Sequence, residues 1–405
     1  MNYNKALQIL NISAFLQQQR YLLPVTFLFY LYNGLTLPDF IAFQGVYYLV
    51  IVLATIPAGY IADRFQRKHI LIFAYMLFLG RILLWLFSSG YFVILIGEIL
   101  YALSKSFYKT SDGYIYEYLQ QNNVDNKMIQ CYGKYNFYIS MSTALSAVLG
   151  SILYKSFGFK TILSIELILH ISAILLLLFL PNVINNTQIT ADIKISKINF
   201  ICHVKNIFKT VKDIVTNKSI NKYILFSSIL MGITSLYVSL FQPTMKTALV
   251  PVVLFGVLYF INHIIRAFSS LYTYKILNKI KIKIFSISVY LSFCISFGVL
   301  LLAQKILNAP LCFFLLLIIC VAIGLSMMFN VITVGKVQES VPSEIRASVS
   351  SVQNMGACLC SCSFLFVYRH LIEIIPKENV LIIFLVLFIP SVFIVKKLYN
   401  NQEKA

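Results

Sequence analysis

Apolar runs long enough to cross a lipid bilayer recur along this chain, and they constrain its fold more than any other feature. A membrane-spanning helix needs about 20 mostly apolar residues. Hydrophobic residues make up 59% of the 405-residue sequence, and charged residues make up only 12%. A water-soluble fold cannot bury that much apolar surface. The sequence therefore predicts an all-α polytopic membrane protein whose outer surface lies in the lipid bilayer.

The apolar runs predict twelve transmembrane helices in two groups of six. Their approximate positions are 21–37, 41–62, 70–88, 92–116, 132–154, 161–181, 222–241, 251–274, 284–303, 311–333, 347–367 and 379–396. One long polar connection divides the chain into a six-helix bundle at 1–182, a linker at 183–220 and a second six-helix bundle at 221–405. Within this linker, apolar residues from Phe200 to Val215 recur at steps of three and four, and lysines occupy the other faces. This pattern predicts an amphipathic helix on the inner membrane surface.

The distribution of basic residues predicts the orientation of the chain, because cytoplasmic loops of membrane proteins are enriched in Lys and Arg. With both termini in the cytoplasm, 23 Lys and Arg residues, among them Lys5 and Arg20, lie on the cytoplasmic side, six on the other side and four within spans. The sequence thus predicts a multi-pass protein of the cell (inner or plasma) membrane with both termini cytoplasmic. The net charge of +19 is assigned to these loops. The basic residues do not form a basic face on a soluble module, so the sequence does not predict a nucleic-acid partner.

A polar turn with a recognisable pattern follows the second predicted span. It reads Gly59-Tyr60-Ile61-Ala62-Asp63-Arg64-Phe65-Gln66-Arg67-Lys68. This turn resembles the G-x-x-x-D-R-x-G-R-K/R signature of the major facilitator superfamily, except that Gln66 stands where the family has glycine. The order of six plus six spans resembles the same family. The resemblance implies the major facilitator fold and a secondary active transporter that works by alternating access.

The chemistry of this turn predicts a gate. Gly59 would allow another helix to approach closely, and Asp63 opposes the dipole at the end of its helix, so that it needs a positive partner. The resemblance implies that this partner is the start of the eleventh span, at 342–348. Arg67 needs an acid, for which Glu117 is the first choice, and Arg64 and Lys68 complete the motif. A gate that opens during transport is favoured over a static topology anchor, which stays open as the alternative.

Several ionisable residues fall inside the predicted spans. Burying such a side chain in the membrane costs free energy, so each of these residues is a candidate for a structural or functional role. Five polar residues recur at steps of three and four, which places them on one helix face. They are Glu98, Tyr101, Lys105, Tyr108 and Asp112. Arg81 and Glu98 flank a tight turn at nearly equal depth, which predicts an ion pair. We expect Glu98 first and Asp112 second to carry a coupling proton, with Arg81 as partner; a purely structural pair is the alternative.

The remaining polar residues of the spans predict a substrate cavity. Lys105 has no acid close in sequence, so it would bind something negative or lose its proton. Tyr101 and Tyr108 share its helix face. From the other half of the chain, the predicted cavity receives Asn262, His263 and Arg266. Two cations from opposite halves favour an anionic or zwitterionic organic molecule. Glu166 and His170 lie one helical turn apart, and His170 is interpreted mainly as a packing residue.

These observations predict a proton-coupled exporter of a drug-like compound or metabolite, with a proton-coupled uptake symporter as the alternative. No nucleotide-binding loop is present, so ATP does not drive transport directly. A membrane-embedded enzyme is a remote third possibility because no catalytic motif is found. We expect a small-molecule substrate, protons and the lipid bilayer as partners, a monomer, and no cofactor, metal or nucleic acid.

Overall fold

The computed structural model describes residues 3–62, 64–124, 127–183, 218–277, 282–339 and 346–402. Every regular element within these ranges is an α-helix, apart from one short 3-10 turn. Asp63, the central linker with its predicted amphipathic helix, and residues 342–345 lie outside the described residues. The predictions made for them therefore stay predictions.

The helices follow the apolar runs. Those of the first half are α1 Tyr3–Gln17, α2 Thr26–Tyr32, α3 Leu37–Ala62, α4 Arg67–Phe87, α5 Tyr91–Tyr108, α6 Thr110–Gln121 and α7 Met128–Leu178. Those of the second half are α8 Lys218–Thr247, α9 Val252–Leu277, α10 Ile282–Lys305, α11 Ala309–Glu339, α12 Arg346–Leu371 and α13 Lys377–Gln402. Within the described ranges, 10 helical segments are long and apolar enough to cross a membrane. The protein is an all-α polytopic membrane protein, as the sequence predicts.

The longest helix, α7, carries two of the predicted spans. Its backbone turns at Gly158, where φ is 76° and ψ is −173°. Residues with a side chain rarely adopt this backbone conformation, whereas glycine does so without strain. The fifth and sixth predicted spans are therefore separate helical segments joined at a single glycine.

The first span differs from its prediction. Instead of one helix at 21–37, α1 ends at Gln17, a 3-10 turn follows at Leu23–Val25, and α2 begins at Thr26. Pro24 lies in this turn and has no N–H to continue a helical ladder. The sequence places Arg20 before the first span, whereas in the structure it lies in the break of the first helix and is only 9% exposed. The polar residues Gln17–Arg20 are typical of an exposed loop, but in the structure they form a buried break between two helical segments.

The chain forms two compact units. The first comprises Met1–Leu35 and Val46–Asp213, and the second comprises Thr36–Gly45 and Ile214–Ala405. In the first unit, α4 packs on α5 and α1 packs on α7. In the second unit, α8 packs on α12, while α9 and α10 both pack on α11. The domain boundaries predicted at the two ends of the linker stay predictions.

Candidate functional site

A group of charged side chains lies buried in the first unit, where the break of the first helix meets α4, α5 and α7. It contains three cations and two carboxylates: Arg20, Arg81, Lys105, Glu98 and Glu166. The two arginines and the two glutamates are each less than a tenth exposed, and Lys105 is half-buried. Both arginines and Lys105 contact the Tyr101 ring, at 5.1 Å for Arg20, 4.4 Å for Arg81 and 5.9 Å for Lys105 from its centroid. We call these five residues the charged cluster.

Glu98 is held by two partners within the charged cluster. Its Oε1 accepts a hydrogen bond from the Tyr30 hydroxyl at 2.6 Å and lies 3.5 Å from Arg81 Nη2. The ion pair that the turn between α4 and α5 predicts is therefore present. Because Glu98 is only 2% exposed, these two contacts replace water around its carboxylate.

Aromatic rings surround the two arginines. The Arg81 guanidinium lies 3.9 Å from the centroid of the Trp85 ring and 4.4 Å from that of Tyr101. The Arg20 guanidinium lies 5.1 Å from the Tyr101 ring centroid and donates hydrogen bonds to the Tyr101 hydroxyl and to Gln18 Oε1. These distances fit cation–π interactions. Tyr101 thus links the two guanidinium groups.

Two features of α7 hold the break of the first helix in place. Glu166 Oε1 accepts the backbone N–H of Leu22 at 2.7 Å. Earlier in α7, a Cβ at Gly150 would lie 2.0 Å from the Tyr21 carbonyl oxygen, so only glycine fits there. Close by, the His170 ring stacks on Phe78 with centroids 4.5 Å apart. Glu166 therefore stabilises the backbone at the break by accepting this hydrogen bond, a role that was not predicted from the sequence.

The predicted polar stripe is divided between two helices. The helix that carries it is interrupted at Lys109, so Asp112 lies on α6 rather than on α5. Asp112 Oδ1 lies 3.4 Å from Ser111 Oγ, and its Oδ2 lies 3.5 Å from the Tyr132 hydroxyl. The expectation of one continuous helix from Glu98 to Asp112 is wrong in this respect. The interruption gives Asp112 partners outside the charged cluster.

Several buried polar atoms around the charged cluster have no hydrogen-bond partner among the described residues. They are Gln19 Oε1, Arg20 Nε, Arg81 Nε, Trp85 Nε1 and His170 Nε2. An unpaired buried donor or acceptor costs roughly 1–3 kcal/mol, so native folds contain few of them. A polar molecule or water at the charged cluster would supply partners for these atoms.

The turn predicted to form a gate contains the expected ion pair. Arg67 Nε lies 3.1 Å from Glu117 Oε1, and both side chains are 16% exposed. A Cβ at Gly113 would lie 3.1 Å from Arg67 Nε, so this glycine makes room for the pair. By contrast, no atom of the described residues lies within 4 Å of a Cβ built at Gly59. The close approach predicted at Gly59 stays a prediction, because the start of the eleventh span lies partly outside the described residues.

Two other residues of the motif have local contacts. Lys68 Nζ donates to the carbonyl oxygens of Leu178 and Leu180, at 2.8 and 2.6 Å. The last carbonyl groups of a helix lack intrahelical partners, so the Lys68 ammonium caps the end of α7. The Arg64 guanidinium lies 4.6 Å from the Tyr60 ring centroid, one turn back along the chain.

The predicted substrate residues of the second half lie in the second unit. Asn262 is buried, and its Oδ1 has no hydrogen-bond partner among the described residues. His263 and Arg266 are half-buried on the same helix, α9. The shared cavity predicted for these residues and Lys105 stays a prediction.

The family model of the Major Facilitator Superfamily matches residues 10–365. This chain belongs to the major facilitator superfamily. It is a multi-pass membrane transporter and not an enzyme, as the sequence predicts.

Solved structures of major facilitator transporters share this fold. The nucleoside transporter NupG superposes with a TM-score of 0.77 at 15% identity, and the match covers 98% of this chain and 99% of NupG. A POT family transporter in complex with a thioalcohol-conjugated peptide gives a TM-score of 0.71 at 14% identity, covering 98% and 96%. A bacterial homologue of the human lysosomal transporter Spinster gives 0.66 at 13%, covering 94% and 85%. No curated protein matches the sequence.

Within this major facilitator chain, the first unit brings together most of the residues predicted for coupling and substrate. Arg81, Glu98, Tyr101 and Lys105 all belong to the charged cluster or touch it. Tyr108 lies beside Lys105 and accepts a hydrogen bond from the Tyr135 hydroxyl at 2.7 Å. Neither the place of Arg20 in this cluster nor the backbone role of Glu166 was predicted from the sequence. The proline that follows the polar run, Pro24, is the signal that could have revealed a break inside the span.

Proposed function

We propose that this transporter couples the movement of protons to the movement of a small organic molecule, and that Glu98 carries the coupling proton. The observation that supports this proposal is the sharing of Glu98 Oε1 between the Tyr30 hydroxyl and Arg81. Desolvation favours the neutral carboxyl group, whereas the positive Arg81 favours the carboxylate. A carboxylate under two opposed influences changes its protonation when a conformational change alters either one.

The geometry of the Arg81–Glu98 pair suits a change in the protonation of Glu98. The 3.5 Å separation between Arg81 and Glu98 is long for a charge-assisted hydrogen bond, which is usually 2.7–2.9 Å. A small movement of α4 against α5 would shorten or break it. Arg81 also contacts Trp85 and Tyr101 through their ring faces, so it keeps favourable contacts when Glu98 becomes neutral. Asp112 is the second candidate, as the sequence predicts.

The polar turn completes the proposal with a gate. Arg67 and Glu117 join α4 to α6 at one end of the first unit, and we expect this pair to break when that end opens. The distribution of basic residues supports a cell-membrane protein with both termini on the cytoplasmic side, and in that orientation the gate faces the cytoplasm. In this proposal the transporter works as a monomer by alternating access of its two halves.

Proton flux in reconstituted liposomes tests the coupling role. The full chain is reconstituted with the pH dye pyranine inside, and candidate molecules are added: uridine, alanylalanine, 5-aminolevulinate and the cationic dye ethidium. We expect at least one of them to drive proton movement in the wild type and none to do so in Glu98→Gln. Glu373→Gln is the matched control, because Glu373 is an exposed carboxylate paired with Arg369 at 3.0 Å. Equal proton flux in Glu98→Gln and the wild type would overturn the role of Glu98.

Opposite pH gradients in the same liposomes decide between export and uptake. In an exporter, entry of protons drives the molecule out, whereas in a symporter protons and molecule move together. Export of a drug-like compound or metabolite is the direction that the sequence analysis favours, with nutrient uptake as the alternative. Accumulation of the molecule on the side that protons enter would support the uptake alternative.

A further inference from the structure

We propose that Arg20 and Lys105 bind an oxyanion of the transported molecule, either a carboxylate or a phosphate group. This inference rests on the proposed function, because it assumes that the charged cluster belongs to the transport path. It adds the chemical class of the substrate and the two side chains that select it. Arg20 has a new role here, since the sequence analysis placed it in a loop.

The balance of charge in the cluster is the first argument. With all groups ionised, its three cations exceed its two carboxylates by one. Glu98 is engaged by Arg81 and Tyr30, and Glu166 is engaged by the backbone of the break. In the described part of the chain, no carboxylate lies within 4.0 Å of a nitrogen of Arg20 or Lys105. One positive charge therefore stays uncompensated in a buried environment, where it is costly.

The hydrogen-bond donors of Arg20 and Lys105 are the second argument. Arg20 Nε is buried and has no hydrogen-bond partner among the residues that the structure describes. Lys105 Nζ lies 5.9 Å from the Tyr101 ring centroid and 5.2 Å from the Tyr108 ring centroid. Ring faces attract an ammonium group but accept no strong hydrogen bonds from its three N–H groups. An oxyanion supplies both the missing negative charge and the missing acceptors.

The position of Tyr101 is the third argument. All three cations of the cluster face its ring, with Arg20 at 5.1 Å, Arg81 at 4.4 Å and Lys105 at 5.9 Å from the centroid. The Tyr101 ring is therefore a contact that all three cations share although they repel each other. A guanidinium and an ammonium placed together are well suited to a carboxylate or phosphate, because both offer several charge-assisted donors.

The single tryptophan of the protein provides a direct readout. Trp85 lies against Arg81 at the edge of the cluster, so its fluorescence in the detergent-solubilised full chain should respond to a bound anion. The probes are pairs that differ in charge: benzoate and benzamide, alanylalanine and its C-terminal amide, glycerol 3-phosphate and glycerol. We expect at least one anion to bind about ten-fold or more tightly than its neutral partner. The carboxylate and phosphate pairs show which oxyanion is preferred.

Substitutions assign the binding to the two cations. Arg20→Gln and Lys105→Gln should each weaken binding of that anion about ten-fold or more and leave binding of the neutral partner unchanged. Lys160→Gln, which removes an exposed lysine of the same unit, should bind as the wild type does. Melting temperatures check folding, and Lys105→Met provides a second variant if Arg20→Gln does not fold.

The outcomes separate this inference from the proposed function. Equal affinity for both members of every pair, no measurable anion binding, or anion binding that survives both substitutions overturns the oxyanion site. Glu98→Gln should retain anion binding, because Glu98 contributes none of the donors. If anions bind through Arg20 and Lys105 but Glu98→Gln still couples protons, only the proposed function fails. If coupling requires Glu98 but neutral molecules are carried equally well, only the oxyanion site fails.

Discussion

Glu166 Oε1 accepts the backbone N–H of Leu22 at 2.7 Å, although the two residues are 144 positions apart in the sequence. A helix that stops leaves backbone groups without partners, and inside a bilayer no water replaces them. The Glu166 carboxylate supplies the missing acceptor. The break in the first helix, which brings Arg20 into the charged cluster, therefore depends on a side chain of α7.

The first prediction concerns this contact. Glu166→Ala leaves the Leu22 N–H buried without an acceptor and should destabilise the protein by about 1–3 kcal/mol. Glu166→Gln keeps an oxygen acceptor and should cost less. Melting temperatures of the purified proteins measure the difference. If both variants have the same melting temperature, the hydrogen bond does not stabilise the break.

The second prediction concerns the pair of Arg81 and Glu98. Glu98→Ala leaves a buried cation without its partner and should destabilise the protein by about 3–5 kcal/mol. The double variant Arg81→Met with Glu98→Leu replaces the pair with apolar side chains and should recover most of the folded protein. Gel filtration in detergent measures the folded yield. A double variant that folds worse than Glu98→Ala would show that Arg81 stabilises the fold through other contacts.

The third prediction concerns the packing of α4 on α5. A Cβ at Gly97 would lie 2.0 Å from Trp85 Nε1, so Gly97→Ala must displace the indole ring. We expect a loss of about 1–3 kcal/mol and a change in tryptophan emission. Gly80→Ala is the matched control, since its Cβ would make an ordinary contact of 3.4 Å with Leu100. Similar melting temperatures and spectra for the two variants would contradict the tight packing at Gly97.

The fourth prediction concerns Gly113. A leucine there should push the Arg67 side chain away from Glu117. In the wild type, Glu117→Gln should cost up to about 1 kcal/mol, because the pair is partly exposed. In the Gly113→Leu background the same change should cost nothing. The double-mutant cycle is measured by thermal unfolding, with Gly133→Leu as a control, since a Cβ at Gly133 meets no described atom within 4 Å. An unchanged effect of Glu117→Gln would show that the pair survives beside leucine.

The sequence predicts contacts well where the two residues are close together along the chain. Arg81 and Glu98 are 17 residues apart, and the tight turn between their helices sets both at one depth. The helical period then places Tyr101 and Lys105 on the face of Glu98. The apolar runs likewise predict the membrane class and most of the helices, because the bilayer requires a fixed length of apolar helix.

The sequence by itself thus determined that this protein is a helical membrane transporter with a charged helix face in its first half. Only the tertiary structure decided that the run from Gln17 to Arg20 is buried, that Glu166 binds the backbone of the break, and that Gly113 makes room for the Arg67 side chain. A polar run in sequence predicts exposure to water. Burial becomes favourable only when other helices supply the acceptors and ring faces that replace water, and those partners come from distant parts of the chain.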